Sequence, residues 1–100
     1  MGAMDFTHIE SGATAEEAFQ RAREAALYEY GHGGYTGSIA EKDTYLVFDE
    51  PRTGADEATD RAAHLLDVDQ RISDKRGTAG ALPVRLDGGD GWLFFGWAAS

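Results

Sequence analysis

The sequence predicts an α+β domain: an antiparallel sheet of four to five strands with two amphipathic helices on one face, in the order β-α-β-β-α-β-β. Three observations lead there. Two stretches, beginning at Ala15 and Ala55, repeat apolar residues every three to four positions, the period of a helix with one buried face. Two short runs at residues 82–86 and 92–98 are rich in strand formers and flank Asp87-Gly88-Gly89-Asp90-Gly91, a turn sequence. The links between the remaining strands look too short for parallel crossovers, which favours antiparallel pairing.

Residues 5–10 alternate, with Phe6, His8 and Glu10 on one side and Thr7 and Ile9 on the other, as a strand requires. Thr14 stands three residues before Glu17, the spacing at which a hydroxyl caps a free backbone N–H, so a helix should start at Ala15. Ala15, Ala18, Phe19, Ala22, Ala26 and Tyr30 form its apolar stripe, Glu17 and Arg21 pair on the wet side, and Gly31 is the natural stop. Residues 38–41 and 44–48 read as two strands joined around Lys42-Asp43 in a hairpin, with Leu46 and Phe48 facing one side and Tyr45 and Val47 the other. Pro51 ends that strand because it has no N–H for the ladder. Thr53 followed by Asp56 predicts the cap of the second helix, whose stripe is Ala55, Ala58, Ala62, Leu65 and Leu66, with Val68 and Ile72 extending it by a broken turn. Trp92, Phe94, Phe95 and Trp97 put aromatics on both faces of the last strand, which fits a central strand better than an exposed binding patch.

Composition narrows the function classes. Residues 1–3, before Met4, read as an expression remnant, leaving residues 4–100 as a single domain. The chain has no cysteine, which excludes disulfides and thiolate metal sites, and it has neither a long apolar run nor a signal-like start, so a cytoplasmic protein without membrane contact is expected. Eighteen carboxylates against nine cations, a net charge of −9, repel phosphate backbones and speak against direct nucleic-acid binding. Such a charge serves solubility, and it also suits a basic protein partner.

Several stretches hold residues suited to chemistry. The loop Gly31, His32, Gly33, Gly34, Tyr35, Thr36, Gly37 and Ser38 offers backbone N–H groups and side-chain donors that could cradle a small anionic ligand or nucleotide. It matches neither the dinucleotide fingerprint nor the phosphate-binding loop, and it follows a helix rather than a strand, so a helix stop and a turn also explain it. His8, His32 and His64 lack any metal-binding spacing, and Asp67 and Asp69 begin a calcium-like pattern that Arg71 and Ile72 break. Ser11, Thr36, Ser38 and Ser73 are the hydroxyl candidates for nucleophilic catalysis, with no nucleophile-elbow motif around any of them. No cofactor motif, metal set or catalytic constellation is assigned, and an enzyme is not the expectation.

The acidic stretch carries more. Between residues 41 and 69 nine carboxylates face three cations, and helical spacing puts several carboxylates on the wet face of the second helix. Asp49, Glu50, Asp56, Glu57, Asp60 and Asp67 are the candidate partner-binding residues. A surface of this kind docks on a basic groove, by the electrostatic steering that nucleic acids use.

Residues 28–42, Tyr-Glu-Tyr-Gly-His-Gly-Gly-Tyr-Thr-Gly-Ser-Ile-Ala-Glu-Lys, together with the terminal Trp-Leu-Phe-Phe-Gly-Trp-Ala-Ala-Ser, resemble small acidic accessory proteins of actinobacterial phages and plasmids. The chain departs from them at Arg76, where a Trp is expected before Gly77. The resemblance implies no activity and no catalytic residue; it implies a protein that acts by binding a host or self protein. The leading expectation is therefore a non-enzymatic interaction protein for a basic protein surface, in the manner of a nucleic-acid mimic. A ligand- or anion-binding domain built on residues 31–38 is the alternative.

Overall fold

The structure, a computed structural model, describes residues 3–30, 38–75 and 77–99. Its elements are β1 (Ala3–Ser11), α1 (Ala15–Tyr30), a 3-10 turn (Ile39–Glu41), β2 (Tyr45–Val47), β3 (Thr53–Gly54), α2 (Ala55–Val68), a second 3-10 turn (Gln70–Ile72), β4 (Ala79–Leu86) and β5 (Gly89–Ala99). The fold is α+β, with two helices and a five-stranded mixed sheet. The strand order is β1-β5-β4-β2, and β3 also lies against β4, beyond β2 along the same edge.

β5 is the centre of the sheet because it pairs antiparallel with β1 along one side and with β4 along the other. Leu86 and Gly89 close the β4–β5 hairpin around Asp87 and Gly88. No described residue other than glycine has positive φ, so this is not the type I′ turn that Asp-Gly favours; Gly89 takes the positive φ of 140°. The edge formed by β2 and β3 runs parallel to β4, which departs from the all-antiparallel expectation. The crossover from β3 to β4 carries a 14-residue helix, long enough to return the chain to the same end of the sheet. Pro83 explains why this edge comes in two pieces. It has no N–H to donate, and β2 pairs with residues 79–81 of β4 while β3 pairs with residues 84–85.

The helices do not share a face, which corrects the sequence expectation. Residues opposite each other in a ladder point to the same side, and the side chains of Leu82, Val84, Leu93 and Phe95 pack with Ala58, Ala62, Leu65 and Leu66 of α2. Ala81 and Phe94, on the other side, pack with Ala18, Phe19, Ala22 and Ala26 of α1. The sheet is thus covered on both sides. Connection geometry accounts for this: β1 to β2 crosses the sheet in one direction and β3 to β4 returns in the other. Crossovers between parallel strands keep one hand, so a reversal of direction puts the second helix on the opposite face.

Most local expectations stand. α1 starts at Ala15, and Thr14 Oγ1 accepts the Glu17 N–H at 3.2 Å. Phe94 and Phe95 are fully buried, so the aromatic strand is core. Two expectations fail. Residues 38–41 are not a strand: Ser38 Oγ accepts the Ala40 N–H and caps the first 3-10 turn, a local bond that outcompetes a hairpin. Gly54, not Thr53, is the N-cap of α2, because Thr53 is held in β3 opposite Val84.

Candidate functional site

The acidic face of α2 is built by helical period. Ala58, Ala62, Leu65 and Leu66 bury one stripe, which turns Asp56, Glu57, Asp60 and Asp67 outward. Asp56, Asp60 and Asp67 follow each other by one turn and then two, a row spanning ~16 Å at 1.5 Å per residue. Asp49, in the loop between β2 and β3, is exposed as well. None of these five carboxylates has an ion pair among the described residues.

Glu50 behaves differently. Its carboxylate accepts three hydrogen bonds from Arg61, at 2.9 to 3.1 Å, and those bonds raise the Arg61 pKa above its ordinary value. Arg61 thus bonds a carboxylate eleven residues away in the chain, and Glu57, one turn before it on the helix, has no ion pair among the described residues.

Five further cations, Arg21, Arg23, Lys42, Arg52 and Arg71, are occupied as well. Lys42 is fully buried and donates to the backbone carbonyls of Asp74, Lys75 and Gly77 at 3.4, 3.2 and 3.0 Å. These bonds tie the start of β2 to the loop before β4. Arg52 donates to the carbonyls of Val84 and Gly91, both at 2.8 Å, and lies 5.2 Å from the centre of the Trp92 ring. Arg71 grips Asp69 at 2.6 Å and stacks over Phe48. The hydrogen bonds from the Arg71 side chain, and then from its backbone N–H, pull the Asp69 pKa down to about 2. Arg21 pairs with Glu17, and Arg23 with Asp43. Apart from the Glu17–Arg21 pair, sequence could not show this engagement of cations, because most of the acceptors are backbone carbonyls or residues distant in the chain.

A second feature lies on the α1 side, where sequence reasoning placed nothing. A groove of about 550 Å³ runs between α1 and β2, lined by Glu16, Phe19, Gln20, Arg23, Glu24, Leu27, Asp43 and Tyr45. Its floor is aromatic: the rings of Phe19 and Tyr45 are 4.7 Å apart, and both contact Phe94 below. Arg23 Nε is buried without a hydrogen-bond partner among the described residues, while its Nη2 reaches the Ala40 carbonyl.

The glycine-rich candidates Gly31, His32, Gly33, Gly34, Tyr35, Thr36 and Gly37 lie outside the described residues. Ser38 is described, and its hydroxyl serves as a helix cap. A small cavity of about 160 Å³ beside it is lined by Phe6, Thr7, His8, Ala26, Glu29 and Ile39. His8 pairs with Glu10 at 3.2 Å, and His64 is exposed on α2 between the levels of Asp60 and Asp67. Among the described residues no three metal-ligating side chains come together. No described helix is long and apolar enough to cross a membrane. Comparison with protein-family models, curated proteins and solved structures finds no match.

Proposed function

We propose that the protein is an acidic interaction module that docks on a basic protein surface through the outer face of α2. One observation carries this reading: Lys42 and Arg52 are turned onto backbone carbonyls and Arg21, Arg23, Arg61 and Arg71 onto Glu17, Asp43, Glu50 and Asp69, while Asp49, Asp56, Glu57, Asp60 and Asp67 stay exposed and without ion pairs among the described residues. The exposed carboxylates left over after those pairs carry the chain's excess negative charge, −9 in net, outward. A rigid helix holds the row in fixed spacing, so a basic partner meets charges already in place and does not have to order them. The resemblance to accessory proteins of phages and plasmids supports the same class of function, and a nucleic-acid-handling enzyme is the kind of target such a row would occupy.

The test is affinity capture from a lysate of cells carrying the protein, at low and at high salt, with an Asp56→Asn/Glu57→Gln/Asp60→Asn variant alongside. A basic protein retained by the native chain, lost at high salt and lost with the variant, is the expected result. A partner that ignores both salt and the variant would refute the reading. The three substitutions are at exposed positions, so the variant should keep its fold.

A further inference from the structure

The groove beside α1 differs from the α2 face in kind, because it is concave, floored by rings and open along a sheet edge. Phe19, Leu27 and Tyr45 supply the apolar floor, and Glu16, Glu24 and Asp43 supply the acidic rim. Among the described residues Arg23 is the only cation in the lining. It is turned toward the Ala40 carbonyl and lies 3.8 Å from Asp43, so it offsets one of the three carboxylates. The volume falls within the ~300–1,000 Å³ of typical ligand sites.

The sheet edge supplies a second, independent feature. β2 ends the strand order, so its outer backbone groups have no strand partner among the described residues. Its side chains alternate: Tyr45 faces α1, Leu46 packs in the α2 core, and Val47 faces α1 again, 45% exposed. A strand added to β2 would lie ~4.8 Å farther out and send every second side chain over the groove. The chemistry of that groove suits one class of side chain, a long aliphatic stem ending in a cation. The stem covers Phe19 and Tyr45 while the charged end reaches Glu16, Glu24 and Asp43.

We infer that the α1–β2 groove and the open β2 edge form a site for an extended, lysine- or arginine-bearing segment of a partner protein, bound by strand addition. The inference shares with the reading above only the expectation of a basic partner, and it uses residues on the opposite side of the sheet.

The experiment is an NMR titration of the isotope-labelled full chain with a capped hexapeptide of alternating lysine and valine. A hexapeptide of alternating glutamate and valine and an N-methylated lysine peptide serve as controls. The expected result is saturable shifts at residues 43–47 and along residues 16–27, with no binding of either control. A Glu24→Gln/Asp43→Asn variant should weaken the lysine peptide about tenfold or more. The Asp56→Asn/Glu57→Gln/Asp60→Asn variant should bind it as the native chain does. Shifts confined to α2, no saturable shift, binding of a control, or equal weakening by both variants would overturn the site. The α2 variant separates this outcome from failure of the docking face.

Discussion

The two helices carry similar patterns on their wet sides and use opposite packing on their dry ones. α1 meets the sheet through Ala18, Ala22 and Ala26, with Phe19 the one large buried side chain among those described, so its backbone lies close to the strands. α2 meets it through Leu65 and Leu66 as well as Ala58 and Ala62, backed by Phe48 and Ile72. The difference decides what each outer surface can be. Close packing of α1 beside a short edge strand leaves a groove at its flank, whereas α2 presents a convex row of carboxylates. One sheet thus offers an acidic concave surface and an acidic convex one.

Core substitutions break the comparison most sharply. Phe94→Ala and Phe95→Ala empty opposite layers at adjacent positions, and each should cost about 3–5 kcal/mol in chemical denaturation. Within the helices the two layers should respond in opposite ways. Leu65→Ala should cost about 2–5 kcal/mol through the cavity it leaves, while in α1 the damaging change is enlargement, with Ala22→Leu costing about 1–3 kcal/mol. A tolerated Ala22→Leu would show the α1 layer to be looser than described. Gly80→Ala belongs with the overpacking group, since a Cβ there would sit 2.5 Å from the buried ring of Phe95.

Lys42 tests the seam between the layers. Lys42→Met keeps the stem and removes the donor from the carbonyls of Asp74, Lys75 and Gly77, and orphaned buried acceptors cost about 1–3 kcal/mol. Hydrogen exchange should rise first in residues 73–78. The smallest effect is electrostatic. Asp69 has its pKa depressed in the folded chain to about 2 from an ordinary 3.8, so its pairing with Arg71 stabilises the fold above that ordinary value. The contribution is lost as pH falls from about 4 through 2. The native chain should therefore lose stability more steeply over that interval than Asp69→Asn, by a small margin because the pair is at the surface. Parallel pH profiles would remove the pair from the account.

What the sequence revealed follows the range of the interactions. The capped start of α1 at Thr14 and the buried residues Ala15, Ala18, Phe19, Ala22 and Ala26 of α1 and Ala58, Ala62, Leu65 and Leu66 of α2 depend on neighbours within four residues and are present, whereas the turn read across Asp87 to Gly91 is shorter, because β5 already begins at Gly89. The helix-to-face assignment depends on which strand α2 returns to, a nonlocal choice that short linkers did not disclose. The same division holds for the candidate surfaces. Outward exposure of Asp56, Asp60 and Asp67 follows from helical period, but the capture of Glu50 by Arg61 needs the turn around Pro51 to bring the two together. The groove was invisible for the same reason, since Asp43 and Tyr45 reach Glu16 and Glu24 only after β2 takes its place at the sheet edge.

The most direct test of the charge account is the salt dependence of affinity for the captured basic protein, measured across a series of single, double and triple neutralisations at Asp56, Glu57 and Asp60. The account predicts that the slope of log Kd against log salt falls stepwise with each carboxylate removed, while Glu50→Gln, whose carboxylate is already taken by Arg61, changes it least. A slope that is the same for the triple variant and the native chain would contradict the claim that α2 is the docking face.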